Sequence, residues 1–160
     1  MSYELRSPVE NFLNWESNKG KETFLIQPIN GKNHEFSWER VGIEARKICS
    51  YIKSFNLPKN SKIAIISKNC AHWIITDLAI MMSGNISVPI YANVNGKTAK
   101  YILEHSESKM VFIGKLEESD WDQMKNNGEH ILEGTYKITS KAITLDGSII
   151  EKIVIIHVFK

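Results

Sequence analysis

Residues 62–113, KIAIISKNCAHWIITDLAIMMSGNISVPIYANVNGKTAKYILEHSESKMVFI, decide the fold. Lys62-Ile63-Ala64-Ile65-Ile66 is a continuous apolar run, too short for a helix and too uniformly apolar for a half-exposed strand. It reads as a buried parallel strand. Ser67-Lys68-Asn69 supplies a turn and an N-cap, and Ala71 to Met82 is apolar on almost every side, which predicts a buried helix. Gly84 stops that helix. Ile86-Ser87-Val88-Pro89-Ile90-Tyr91 gives a second strand, in which Pro89 lacks a backbone donor and belongs near the strand end or at an edge. Asn93 to Gly96 is loop, a helix follows near Thr98 to Ser106, and Met110-Val111-Phe112-Ile113 is a third strand. The order β-α-β-α-β with short connections is that of a parallel sheet covered by helices, and the fold class is α/β.

Upstream, Thr23 to Ile29 and Lys32 to Phe36 flank Asn30-Gly31, a pair that favours a type I′ hairpin turn because both central residues take positive φ. Ser37 is a natural N-cap. After it, Trp38, Val41, Ala45, Ile48, Ile52 and Phe55 repeat at spacings of three and four, one apolar stripe along a helix that ends at Asn56-Leu57-Pro58. Beyond Gly114 the pattern decays. Glu117 to Asn127 is polar with one helical turn around Trp121, and Tyr136 to Ile138, Ala142 to Leu145 and Ile153 to Phe159 are short strand candidates. The last is apolar and β-prone, so it either pairs in a sheet or is an aggregation hazard.

Composition narrows the function classes. With 42% hydrophobic and 24% charged residues in 160, one ordinary globular domain is the expectation. Twenty Lys and Arg against eighteen Asp and Glu leave a net charge of +2 with no basic block, which excludes a nucleic-acid footprint. Two distant cysteines, Cys49 and Cys70, suggest neither a disulfide framework nor a zinc site, and point to a reduced, cytoplasmic setting. No run approaches the about 18 apolar residues of a membrane span.

Reaction centres are nearly absent from the sequence. It contains no GxxxxGK[ST], GxGxxG, GxSxG or HExxH. The five histidines stand apart from one another and from carboxylate pairs, so no metal site and no catalytic residue is assigned. Ser67, Asn69 and His72 could form a polar cluster at a helix N-terminus, where backbone N–H groups attract anions; the plainer alternative is that Ser67 and Asn69 cap the helix. Asp77, inside an apolar helix, calls for a structural partner or the surface. Cys49, Cys70, Trp73, Met81 and Met82 read as packing residues.

Several separated motifs resemble the amino-terminal region of AMP-forming acyl-activating enzymes, above all the long-chain fatty acid–CoA ligases. They are Phe36-Ser37-Trp38, the run Ser67 to Trp73, Asp77 to Gly84, Ser87-Val88-Pro89-Ile90-Tyr91, and Tyr101 to Glu107. The family's "LKAG…VP" element is matched by Leu78 to Pro89, with Ser83 before the glycine and Ala92 after the tyrosine as departures. The match runs over about residues 8 to 125 and is thin afterwards.

The resemblance implies ATP-dependent activation of a fatty acid through an acyl-adenylate, with magnesium assisting and coenzyme A displacing AMP. The family's Ser/Thr/Gly-rich phosphate loop, ribose-binding Asp and catalytic Lys are absent from these 160 residues. The expectation is therefore an amino-terminal fragment, residues 1–126, followed by a divergent tail at 127–160, from a frameshift or early stop near residue 126. Alone it should be catalytically silent and should self-associate through apolar surface on helix 71–82 or its sheet. The alternative is a non-catalytic α/β binding module or one half of a split enzyme. A Rossmann-type nucleotide binder is disfavoured, because the turn after Ile66 has no glycine.

Overall fold

The computed structural model describes residues 6–114, 116, 135–143 and 149–158. In chain order the elements are α1 (Pro8–Lys19), β1 (Thr23–Ile29), β2 (Lys32–Ser37), α2 (Trp38–Ser54), β3 (Lys62–Ile66), α3 (Ala71–Met82), β4 (Ile86–Ile90), α4 (Gly96–His105), β5 (Met110–Ile113), β6 (Thr135–Ile143) and β7 (Ile149–Val158). They fall into two units: Met1–Leu57 with Cys70–Asn85, and Pro58–Asn69 with Ile86–Lys160.

The first unit holds α1, α2, α3 and the β1–β2 hairpin. The hairpin turns at Asn30 and Gly31, both at positive φ (51° and 74°), as the Asn-Gly pair predicts. Ser37 caps α2 by accepting from the Arg40 amide, and Val41, Ala45 and Ile52 of the predicted stripe are buried with Gly42 and Cys49. The core joins Phe12, Phe36, Val41, Ala45 and Cys49 to Ala71, Ile75, Leu78 and Ala79 of α3.

Two features differ from the sequence expectation. Helix α1 was not foreseen, although Ser7 and Glu10 form a reciprocal capping box with Pro8 at the first helical position. The N-cap position of helix α3 is neither Asn69 nor Ser67. Its N-cap is Cys70, which makes no side-chain cap bond, and the first free amide, Ala71, donates to Gln27 Oε1 from β1 at 2.9 Å. A thiol is a weak acceptor, so a distant amide side chain takes over the capping.

Three helices end on a left-handed residue: Asn56 after α2, Gly84 after α3 and Glu107 after α4. At Gly84 and Glu107 the two crossed backbone bonds of a Schellman motif are complete, with Asn85 N donating to Ile80 O and Ser108 N to Leu103 O.

The second unit is a five-stranded sheet of order β4-β3-β5-β7-β6. β4, β3 and β5 are parallel, as the sequence predicts, and β7 and β6 add antiparallel. On one face Ala64, Ile66, Ile90, Val111 and Ile113 pack against Ala99 and Leu103 of α4. The alternating Ile63, Ile65, Met110 and Phe112 are buried too, which is why these strands are apolar at every position.

The candidates Tyr136–Ile138 and Ala142–Leu145 form one strand as far as Ile143, and the run from Ile153 pairs with β5 and β6 up to Val158. The turn near Trp121 and residues 144–148 and 159 lie outside the described residues. Among the described residues, the well-exposed large apolar side chains include Trp15, Ile26, Ile86, Tyr91 and Tyr101, and none belongs to α3.

Candidate functional site

Parallel sheets bind ligands beyond the carboxyl ends of their strands, where successive connections leave in opposite directions. Here that point lies between β3 and β5: the chain leaves β3 for β4 on one side and returns through α4 to β5 on the other. Ser67 follows β3 and Gly114 follows β5. The Gly114 amide donates to the Ile66 carbonyl at 2.9 Å, extending the ladder one residue past β5.

Ser67 is 6% exposed and its Oγ donates to the Lys68 carbonyl at 3.0 Å. A Cβ on Gly114 would stand 2.5 Å from Ser67 Oγ and 2.7 Å from its Cβ. Any side chain at 114 would displace Ser67, so the two residues close the strand ends together. Asn69 is exposed in the turn that follows.

His72, the third candidate, belongs to the helical unit, whereas Ser67 and Asn69 belong to the sheet unit. Within its own unit the His72 Nε2 lies 3.8 Å from Glu44 Oε2, and its ring meets Phe36 edge-on at 5.7 Å. Glu44 also receives Arg40 Nε at 3.0 Å, and the Arg40 guanidinium sits 4.1 Å over the Phe36 ring. Arg40, Glu44 and His72 thus form a polar network around one aromatic ring. A His–Glu ion pair there requires protonated imidazole.

The i,i+4 spacing of Arg40 and Glu44 is readable in sequence. The joining of Glu44 to His72, and of Ser67 to Gly114, depends on tertiary contacts that spacing does not reveal. Asp77 is half-buried, Cys49 buried and Cys70 half-buried. Among the described residues no three His, Cys, Asp or Glu side chains gather as metal ligands, and no helix is long and apolar enough to cross a membrane.

The architecture is shared with solved adenylate-forming enzymes. The fatty acyl-adenylate ligase from L. pneumophila, solved with acyl adenylate and pyrophosphate, superposes over 69% of this chain and 20% of its own with a TM-score of 0.64 at 16% identity. The anthranilate CoA ligase AuaEII, solved with anthranoyl-AMP, does so over 66% and 20% with a TM-score of 0.61 at 18% identity. At such identities the likeness defines the fold, the acyl-activating α/β class.

The sequence family follows from a direct match: the AMP-binding enzyme model covers residues 12–152, and the chain belongs to that family. Fatty acyl-CoA synthetase A of Dictyostelium discoideum is 30% identical over 81 residues, 49% of this chain and 12% of its own length. An acyl–CoA ligase of Bacillus subtilis (strain 168), YtcI, is 26% identical over 114 residues, 71% and 21%. Long chain acyl-CoA synthetase 1 of Arabidopsis thaliana is 27% identical over 106 residues, 66% and 15%. The chain therefore spans about an eighth to a fifth of the length of these relatives.

Proposed function

We propose that this chain is the amino-terminal part of a long-chain fatty acid–CoA ligase, whose whole reaction activates a fatty acid with ATP and passes the acyl group to coenzyme A. The observation that carries the proposal is the family match over residues 12–152. The fatty-acid assignment draws on relatives named as fatty acyl-CoA and long chain acyl-CoA synthetases. In such an enzyme this part serves as scaffold, and the Ser67–Gly114 contact fixes the ends of β3 and β5.

ATP, magnesium and coenzyme A are what the whole reaction requires. The donors present do not fit a magnesium triphosphate. The sequence has no glycine-rich phosphate loop, the Ser67 hydroxyl donates to the Lys68 carbonyl, and no cluster of metal ligands exists among the described residues. Adenylation depends on charge positioned at the phosphates, and the sequence carries none of the family's phosphate-binding elements, so on this reading the chain alone is inactive.

Sequencing the locus and its transcript beyond the codon for Lys160, translated in all three frames, tests the proposal. A Ser/Thr/Gly-rich phosphate loop in any frame fits the amino-terminal part of a ligase; its absence in every frame removes that account. A second account, a non-catalytic binding module or half of a split enzyme, draws on the pairing of β7 with β5. If the tail is integral, a chain cut after Asn126 loses solubility; if it is a remnant, the cut improves solubility.

A further inference from the structure

Among the described residues β4 is an outer strand of the sheet, paired on one side with β3 in the register Lys62↔Ile86 through Ile66↔Ile90. The Ile86 amide donates to the Ser61 carbonyl at 2.9 Å, which fixes the phase of the ladder. Because backbone groups alternate along a strand, Ile86, Val88 and Ile90 address β3, and Ser87 and Pro89 face outward. Pro89 is exposed, and so is the β-branched Ile86, at 47%. The proline therefore occupies one of only two outward positions on this strand, and Ser87 keeps the one outward N–H.

We propose that Pro89 guards the β4 edge, preventing a second copy of the chain from adding its own β4 and continuing the sheet. An unguarded edge with exposed β-branched residues is a template for another strand, and a proline both withholds the donor and obstructs the approach. At an inward position the same residue would have broken the bond to β3. Its placement at 89 costs the native ladder nothing, whereas 88 or 90 would have cost a hydrogen bond.

The test is sedimentation velocity of the 160-residue chain across concentration, for the unsubstituted protein, Pro89→Val and the double variant Ser87→Pro/Pro89→Val. The double variant moves the missing donor to the other outward position. Restoring one strand hydrogen bond in each copy, two per pair, should lower the concentration of half-association by about a hundredfold in Pro89→Val. The double variant should return it to the unsubstituted value. No change in Pro89→Val, or increased association that the double variant does not reverse, overturns the proposal.

Should Pro89→Val lose its cooperative melt, amide hydrogen exchange of the unsubstituted protein decides. The Ser87 amide should exchange freely while those of Val88 and Ile90 are protected. Equal protection of all three overturns the proposal.

Discussion

Arg46 of α2 holds Glu16 of α1 with both terminal nitrogens, and the carboxylate lies over Gly42, one helical turn before the arginine. A Cβ on Gly42 would overlap Glu16 Oε1, so the glycine makes room for the carboxylate. Gly42→Ala should gain about 1 kcal/mol of helix propensity and lose about as much by expelling Glu16 from a pair whose arginine is half-exposed. Near-neutrality is expected in the native background. In a Glu16→Ala background the same substitution should stabilise by about 1 kcal/mol. Urea unfolding of the four chains measures the coupling, and equal effects in both backgrounds would show that carboxylate and glycine are independent.

The amide of Ala71 depends on Gln27, because Cys70 cannot cap α3. Gln27→Ala should cost about 1 kcal/mol. Cys70 already has the extended φ and ψ (−159°, 168°) of an N-cap, so Cys70→Ser should recover much of that loss. Thermal melts of the single and double variants read this out; a serine that gives no recovery points away from capping as the role of Gln27.

Glu107 sits at φ 54° where the Schellman motif closing α4 favours glycine, the residue present at the matching position after α3. Its contact with Lys62, at 3.7 Å between exposed side chains, contributes little. Glu107→Gly should stabilise the sheet unit by about 0.5–1 kcal/mol through relief of the left-handed backbone. A lower melting temperature would contradict this.

At the other end of the chain, the Ser7 amide and hydroxyl hold the Glu10 carboxyl below its ordinary range. A carboxylate whose folded pKa is depressed adds stability that is present above its unfolded pKa and is lost as pH falls through the folded one. The protection of the α1 amides, their exchange taken relative to the intrinsic rate at each pH, should therefore fall as pH drops through and below the usual glutamate range. Glu10→Gln should flatten that dependence, and an unchanged profile in this variant would remove the capping box as its source.

How much was legible follows from where each signal resides. The strands at 62–66, 86–90 and 110–113 and the helices between them carry their pattern within a few residues, and the structure reproduces them. Helix α1 buries only Phe12 fully, so it shows no apolar stripe, and its sole announcement is Ser7-Pro8 with Glu10. The cap on α3 comes from a residue 44 positions away, beyond any local rule. The three candidate site residues divide for the same reason: Ser67 is placed by the adjacency of β3 and β5, and His72 by the packing of α3 on α2.

The central claim is that this part of an acyl-activating enzyme folds yet performs no activation by itself. ATP–pyrophosphate exchange by the purified 160-residue chain, shown to be folded by a cooperative melt and assayed with and without a long-chain fatty acid, tests it most directly. The account predicts exchange no greater than that of a boiled control; exchange stimulated by the fatty acid would contradict it.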